Sequence, residues 1–203
     1  MSDEAEFSQL TNAEKILQIQ NLILENSPDG SDDSISKIEK LLPHVLVVPN
    51  LGPNLATLFD TALGFANGGN RENIAELLMQ HIPKGEPHLE NSILHSLLDL
   101  AIARNSLSAV DKILKDPRFK MKRTMIENAV SWGNLEILDR LLQEPKVIFS
   151  KKYNTVPLRI IYEAQGRNDI IDRILRDPRI CCTAKDVYRS ISDISYALHE
   201  QNR

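Results

Sequence analysis

The chain has few of the features that indicate a secreted, membrane-spanning or β-rich protein. Its two cysteines are adjacent, at Cys181 and Cys182, and it has no Asn-x-Ser/Thr sequon, so neither a disulfide framework nor an N-glycosylated secreted form is supported. No unbroken apolar run is longer than Val45–Val48, whereas a membrane-spanning helix needs roughly 20 residues. The acidic start lacks the basic region of a secretory signal. These absences predict a cytoplasmic protein in a reducing environment.

Glycine and aromatic residues are also scarce. The 203 residues include 8 glycines, and aromatic residues make up 5% of the chain, which disfavours β-rich sandwiches and stacking platforms for single-stranded nucleic acid. The rest of the composition, 42% hydrophobic and 26% charged, is that of an ordinary globular protein and excludes global disorder. We therefore expect an all-α fold.

The net charge of −4 conceals a difference between the two halves of the chain. Residues 1–100 carry 5 basic and 15 acidic side chains, a balance of −10, and residues 101–203 carry 19 basic and 13 acidic ones, a balance of +6. Charge of this kind bears on partners rather than on the fold. The basic second half favours a partner with an acidic surface.

Three segments of the second half repeat one another. Val110–Phe119, Leu138–Val147 and Ile171–Ile180 share the order apolar, Asp, basic, apolar, Leu, polar, acidic, Pro, basic, apolar. The prolines of successive copies lie 28 and 33 residues apart, and weaker copies end at Leu77-Leu78 and Leu41-Leu42. This periodicity predicts about five structural units that together fill most of the chain.

Each copy is predicted to be a helical hairpin followed by a loop. Asn134–Leu142 carries leucines at helical spacing and is followed by Pro145, which indicates the second helix of a unit. The first helix ends at Ala129–Gly133, where glycine permits a tight reversal of the chain. One hairpin cannot bury its apolar face alone, so stacked neighbours must complete the core.

The segment Ala129–Leu142 resembles the helix pair of an ankyrin repeat, whose pattern runs Ala-Ala-x-x-Gly-His-x-x-Val-Val-x-x-Leu-Leu. Asn154–Arg159 resembles the Thr-Pro-Leu-His opening of that repeat, with one residue inserted and Arg in place of His. Phe65–Ile74 and Ala101–Val110 are degenerate copies, and Asp/Glu-Pro-Arg/Lys replaces the family's Gly-Ala-Asp loop. The resemblance covers roughly residues 50 to 180 and implies an ankyrin-like helical-hairpin solenoid of about five repeats with helical caps.

The segments outside the clearest repeats are predicted to cap the array. Thr11 and Glu14 form a capping box that indicates a helix running to about Glu25. The predicted organisation is a flexible N-terminus at residues 1–10, an N-terminal helical cap or degenerate repeat at 11–48, ankyrin-like repeats at 49–182 and a C-terminal cap helix at 183–203.

Signatures of catalysis are absent from the sequence. It has no phosphate-binding loop, dinucleotide fingerprint, nucleophile elbow or zinc-protease motif. His81, His88 and His95 recur every seven residues, but two helical turns separate such positions by about 10.5 Å, too far for one zinc ion. Cys181 and Cys182 could supply a thiolate nucleophile, but the repeat pattern favours a buried and inert role. We expect no catalytic residue, no metal site and no cofactor.

Basic residues recur in the loops that follow the repeated prolines. Because equivalent loops of stacked repeats lie side by side, we expect these charges to form a basic stripe within residues 118–189. The stripe indicates either an acidic partner or loops whose charges serve only solubility. The residues expected to steer a partner are Arg118, Lys120, Lys122, Lys151 and Lys152.

Trp132 is the only tryptophan and directly precedes the turn glycine Gly133. In ankyrin repeats the two residues before that glycine often point into the concave groove. The resemblance therefore implies that Ser131 and Trp132, and by the same correspondence Arg104, contact a partner. An exposed tryptophan is a typical binding anchor, and the alternative is a tryptophan packed against neighbouring helices.

These observations predict a non-catalytic protein–protein interaction scaffold with a protein partner and no small-molecule substrate. The Leu-Leu-x-Asp-Pro-Arg endings are similar to those of ankyrin arrays in amoebae and their intracellular bacteria, which implies a bacterial effector delivered into a host cell to bind a host protein. The alternative function is an anionic-surface binder that uses the basic stripe on a phosphoinositide membrane, peripherally, or on nucleic acid. The acidic first half and the few aromatics argue against nucleic acid.

Overall fold

The computed structural model describes residues 7–25, 32–47, 50–64, 72–122, 124–132, 134–144 and 167–177. The chain divides into two compact units, with the division between Phe119 and Lys120. Within the described ranges every regular element is a helix, so the predicted all-α class is confirmed there. The predicted C-terminal cap helix at 183–203 lies outside these ranges, as do Cys181 and Cys182.

The first unit contains six of the described α-helices and the second contains three. In the first unit, a short 3-10 helix at Leu42–His44 directly follows the second α-helix. The α-helices of the first unit are α1 (Asn12–Glu25), α2 (Asp32–Leu41), α3 (Leu51–Leu63), α4 (Glu72–Gln80), α5 (Pro87–Ala103) and α6 (Leu107–Lys115), and those of the second are α7 (Thr124–Trp132), α8 (Leu135–Leu142) and α9 (Asn168–Leu175).

The capping box predicted at the start of α1 is confirmed. The Glu14 carboxylate accepts the backbone N–H of Thr11 at 2.8 Å, and the Thr11 hydroxyl accepts the backbone N–H of Glu14 at 3.3 Å. These reciprocal bonds satisfy donors that the first turn of a helix leaves without an intrahelical partner. The helix then runs to Glu25, the end that the sequence predicts.

Helices of the first unit pack as successive hairpins. The pairs α1–α2, α3–α4 and α5–α6 each pack together, α3 also packs against α1 and α5, and α4 packs against α6. The first helices of the hairpins therefore lie next to one another, and two of the second helices do the same. This is the stacking that a hairpin needs to bury its apolar face.

The core of the first unit lies between these helices. Leu55 and Leu58 of α3 and Leu94, Leu97 and Leu98 of α5 are fully buried. Burial of each such leucine stabilises the fold by about 1.5–3 kcal/mol relative to exposure. Leu94, Leu97 and Leu98 of α5 therefore serve the core of this unit.

The N-terminal part of the chain also contributes to that core. Of the residues predicted to form a flexible N-terminus, 1–6 lie outside the described ranges, whereas the side chain of Phe7 is buried. The Phe7 ring meets the His44 ring edge to face, with 6.0 Å between the ring centroids. This contact joins the segment before α1 to the end of the 3-10 helix.

The second unit has one described hairpin and one further helix. Helices α7 and α8 pack together, and α9 packs against α8. One face of α8 is buried, through Ile137, Leu138, Leu141 and Leu142. The helical spacing of Leu135, Leu138, Leu141 and Leu142 predicts three of these four, whereas Leu135 is only partly buried. Residues 145–166, which separate α8 from α9 in the chain, lie outside the described ranges.

Candidate binding site

The two hairpin turns that precede α6 and α8 use the same local chemistry. Asn105 has φ of 57°, in the left-handed region that asparagine and glycine tolerate best. Ser106 follows as the N-cap of α6, and its hydroxyl accepts the backbone N–H of Ala109 at 3.3 Å. Asn134 is the N-cap of α8, and its side-chain oxygen accepts the backbone N–H of Ile137 at 2.8 Å. These caps fix where α6 and α8 begin, just after the predicted site residues.

Trp132 is the last residue of α7 and is strongly exposed. Its side chain is 63% exposed, while Met125, Ile126, Ala129 and Val130 of the same helix are buried. Helix α7 therefore packs through its other face, and the indole is not part of the core. The alternative of a tryptophan packed against neighbouring helices does not hold for this side chain.

Ser131 lies beside Trp132 and is also exposed. Its carbonyl oxygen accepts a hydrogen bond from Nη1 of Arg167, at 3.2 Å. Arg167 precedes α9, so this bond brings a guanidinium from 36 residues further along the chain to the last turn of α7. A cation at this end of a helix also interacts favourably with the helix dipole.

Arg104 occupies the position in the first unit that corresponds to Trp132. It caps the end of α5, and its guanidinium forms two hydrogen bonds with Asp60 of α3, Nε to Oδ1 and Nη2 to Oδ2, both 2.7 Å. These bonds raise the pKa of Arg104 above its usual value. The two side chains, 28% and 25% exposed, thus join neighbouring hairpins, and partner contact by Arg104 stays a prediction.

The Asp-Pro-Arg sequence after α6 forms a closed clamp in the first unit. The guanidinium of Arg118 donates to Asp116 through Nε at 2.9 Å and through Nη2 at 2.7 Å. The backbone N–H of Arg118 donates to the same carboxylate at 2.9 Å, and Nη1 reaches the carbonyl of Ile82 at 3.3 Å. The Arg118 hydrogen bonds hold the pKa of Asp116 below its usual value.

Glu90 completes this cluster, and sequence reasoning missed it. The side chain is buried, and its Oε1 accepts the backbone N–H groups of Gly85 at 2.6 Å and Glu86 at 3.0 Å, just before α5. Its Oε2 lies 3.8 Å from Nε of Arg118. The pattern of proline at the start of a helix with glutamate three residues later is the signal that could have indicated this cap.

The remaining members of the predicted basic stripe have different surroundings. Lys120 and Lys122 are exposed and precede α7 in the chain. Lys151 and Lys152 lie outside the described ranges. Arg118 faces two carboxylates, so little of its charge is left to steer a partner.

A second kind of link between hairpins was not predicted. Nζ of Lys112 in α6 lies 2.7 Å from Oε2 of Glu76 in α4, 36 residues earlier. Arg173 in α9 likewise pairs with Asp139 in α8, 34 residues earlier. Lys112 and Arg173 occupy the same place in the repeated segment, directly after its aspartate. The repeat thus recurs in side-chain contacts as well as in sequence.

No protein-family model, curated protein or solved structure matches the chain. The ankyrin resemblance, and the delivery into a host cell that it implies, therefore stay predictions. Among the described residues, no helix combines the length and apolar character that crossing a membrane requires. The same residues contain no group of three or more His, Cys, Asp or Glu side chains placed to hold a metal ion.

Proposed function

We propose that the chain is a non-catalytic protein-binding scaffold of stacked, ankyrin-like helical hairpins. Its binding site is centred on Trp132 in the second unit. The exposure of that indole is the observation that carries the proposal. A tryptophan buries a large apolar area when a partner covers it, and tryptophan is enriched among the residues that dominate binding energy.

The local structure holds Trp132 at a defined place. The buried face of α7 fixes the helix, and the N-cap bond of Asn134 fixes the turn that follows. Presentation from the end of a packed helix lowers the entropy that the side chain loses when a partner binds. A fixed and exposed position of this kind is what we expect of a residue that anchors a partner.

The hairpin architecture supports the same function. In the first unit, successive hairpins are joined by the Arg104–Asp60 and Lys112–Glu76 pairs. Repeat scaffolds of this kind present an extended surface whose binding residues can vary while the packed faces persist. The repeated sequence and these contacts are the grounds for assigning an ankyrin-like solenoid to the whole array.

The exposed lysines before α7 indicate that the partner carries negative charge. Lys120 and Lys122 are exposed and lie just before the helix that carries Trp132. Charges of this kind raise the rate of encounter with an acidic partner and contribute less to the final affinity. We therefore assign anchoring to Trp132 and steering to the two lysines.

Affinity capture from a cell lysate, followed by mass spectrometry, tests the proposal. Wild-type chain is compared with Trp132→Ala and with the control Leu17→Ala, which removes an apolar side chain that is 57% exposed in the first unit. A protein captured by wild type and by the control, but lost with Trp132→Ala, supports the proposal. Equal capture of the same proteins by all three chains would refute it.

Anionic-surface binding is the second candidate, and the exposure of Lys120 and Lys122 favours it. A Lys120→Glu/Lys122→Glu variant and a salt series separate the two functions. Binding to phosphate groups falls steeply with salt because it releases counterions, whereas an indole anchor retains its contact at moderate salt. Loss of binding to anionic vesicles with the lysine variant, together with full binding by Trp132→Ala, would establish this second function.

A further inference from the structure

Helix α1 carries a row of exposed side chains that has no part in the proposed site. Glu14, Leu17, Asn21 and Leu24 recur at helical spacing and are all exposed, and exposed Glu25 follows directly as the last residue of the helix. Leu17 is 57% exposed and Leu24 is 51% exposed. Seven residues separate the two leucines, which is about 10.5 Å along the helix axis. These five residues are called the α1 stripe below.

Stacking of the hairpins does not by itself require leucines on this surface. Helices α3 and α5 are the first helices of the next two hairpins, and their exposed positions hold no large aliphatic side chain. Those positions are Pro53 and Thr57 in α3 and Pro87, His88, Ser92 and Ser96 in α5. The exposed leucines therefore distinguish α1, and apolar side chains that recur along one helix face are typical of a surface that docks another helix.

Contacts elsewhere on α1 hold the stripe in place. Ile19 and Ile23 are fully buried, so the opposite part of the helix belongs to the core of the first unit. The amide of Gln20 also donates to the hydroxyl of Thr61 in α3, at 2.9 Å. Because the helix is fixed in this way, a partner loses little entropy in ordering it.

Both ends of the α1 stripe are negatively charged. Glu14 lies in the first turn and Glu25 is the last residue, about 16.5 Å apart along the axis. Glu14 accepts hydrogen bonds from the hydroxyl and the backbone N–H of Thr11, which are neutral groups, so its charge is retained and its pKa is lowered. Lys15, the basic residue of α1, lies outside the stripe, with Nζ 6.0 Å from the centroid of the Phe7 ring. The stripe thus fits an apolar ligand with basic groups at its ends.

We infer that the α1 stripe docks an amphipathic helix of a partner protein, with apolar residues at the centre of its docking face and Lys or Arg on either side. The apolar residues cover Leu17 and Leu24, and the basic side chains approach Glu14 and Glu25. The charge balance of −10 in residues 1–100 steers such a partner towards the first unit. The inference goes beyond the proposed function, because it concerns another unit and does not use Trp132.

A helix fits this surface better than an extended segment does. Helix α1 bonds its own backbone, so it lacks the row of N–H and C=O groups that a sheet edge offers to an added strand. A partner helix also satisfies its own backbone, and its side chains can recur every seven residues, like Leu17 and Leu24. The carboxylates of Glu14 and Glu25 disfavour an anionic membrane as the partner.

Selection from a phage-displayed helix library on the full chain tests this inference. The library is an alanine-rich helix of about 18 residues with the positions of one face randomised. Wild type is compared with a leucine variant, Leu17→Gln/Leu24→Gln, and a glutamate variant, Glu14→Gln/Glu25→Gln. Glutamine favours helices and also fits the capping box at Glu14. Circular dichroism checks that each variant is helical, and the glutamate variant carries the test if the leucine variant is not.

Two matched controls remove the same groups elsewhere. Leu175→Gln removes a leucine that is 47% exposed in the second unit, and Glu39→Gln removes an exposed carboxylate of α2. We expect wild type and both controls to enrich helices with apolar residues at the centre of the randomised face and Lys or Arg at its ends.

The leucine variant should lose these helices, and the glutamate variant should retain the apolar residues without the basic ones. Unchanged selection by the leucine variant would overturn the inference, as would the failure of wild type to enrich any such helix. A basic preference that persists in the glutamate variant would overturn the assignment of Lys or Arg to the two carboxylates.

The affinity of a selected helix, measured by fluorescence anisotropy of a labelled peptide, gives a second readout. The leucine variant should bind roughly ten-fold more weakly or worse, because two half-exposed leucines no longer become buried. The glutamate variant should lose roughly three- to ten-fold, since exposed ion pairs contribute less. Added salt should weaken the wild-type complex more than that of the glutamate variant. Equal salt dependence of the two complexes would contradict pairing with Glu14 and Glu25.

Two further measurements separate this inference from its rivals. Trp132→Ala should select the same helices as wild type, and their loss would assign them to the Trp132 site and overturn the inference. In the lysate experiment, Leu17→Ala should lose partners of the α1 stripe while it keeps proteins that need Trp132, so the two sites fail independently. Sedimentation of wild type as a dimer that the leucine variant does not form would show that a second copy covers the stripe, and would also overturn the inference.

Discussion

Nη2 of Arg118 lies 2.7 Å from Oδ2 of Asp116, two residues earlier in the chain, and the same carboxylate also accepts the Arg118 backbone N–H. This clamp closes the loop after α6 and reaches the carbonyl of Ile82 in the preceding hairpin. The repeated Asp-Pro-Arg sequence therefore has a structural use in the first unit. In this loop the charged side chain of Arg118 links two neighbouring hairpins.

The clamp makes stability depend on pH in a defined direction. The hydrogen bonds from Arg118 hold the pKa of Asp116 below its usual value, so the ionised carboxylate stabilises the folded state. That contribution is complete above the pKa of an unfolded aspartate, about 4, and it is lost as the pH falls further towards the folded-state pKa. Asp116→Asn lacks it at every pH.

We therefore expect Asp116→Asn to unfold more easily than wild type at pH 7, by about 1–3 kcal/mol, because Arg118 loses a charged acceptor. The difference in the free energy of unfolding between wild type and Asp116→Asn should narrow below about pH 4. Urea unfolding followed by circular dichroism at several pH values measures both effects. The control Glu39→Gln removes an exposed carboxylate of α2 and should change little. A constant difference at all pH values would show that Asp116 acts through something other than its charge.

The pair between Asp60 and Arg104 should couple α3 to the end of α5. Because both side chains are about a quarter exposed, we expect a coupling free energy of only about 1 kcal/mol in a double-mutant cycle of Asp60→Asn and Arg104→Gln. The exposed pair of Asp172 in α9 and Arg176, the C-cap of that helix, is the matched control, and its coupling should be close to zero. Equal coupling in the two pairs would contradict a linking role for Arg104.

The turn before α6 should accept glycine and reject a β-branched residue. Asn105 has φ of 57°, where a β-branched side chain is strained, and the corresponding position before α8 is Gly133 in the sequence. We expect Asn105→Gly to keep wild-type stability within about 0.5 kcal/mol and Asn105→Val to lose about 1–2 kcal/mol. Thermal unfolding of the two variants measures the difference, and equal stability would show that the turn relaxes to another conformation.

Local patterns predicted much of the fold correctly. The capping box of Thr11 and Glu14, the end of α1 at Glu25 and the buried face of α8 all depend on residues close together in the chain, and the structure confirms each of them. The N-caps Ser106 and Asn134 were not predicted, and the glycine reversal predicted at Gly133 lies outside the described residues.

Contacts between hairpins could not be predicted in the same way. Whether Arg118 steers a partner or closes a loop depends on Asp116, Glu90 and the carbonyl of Ile82, and the last two approach it only in the folded chain. Arg167 escaped notice for the same reason, since its neighbour Ser131 lies 36 residues earlier. Burial of Trp132 was likewise open, because periodicity alone does not tell an exposed helix end from a covered one.

Glu90 should be more important to the first unit than a charged residue near the start of a helix usually is. Its buried carboxylate accepts two backbone N–H groups before α5 and lies near the guanidinium of Arg118. Glu90→Ala leaves those donors without this acceptor, and we expect a loss of about 2–4 kcal/mol in the free energy of unfolding. Glu90→Gln keeps one carbonyl oxygen at the same place and should lose clearly less. Chemical denaturation measures the loss of unfolding free energy in the two variants. Equal losses would mean that Glu90 contributes through its charge opposite Arg118 rather than through the backbone cap.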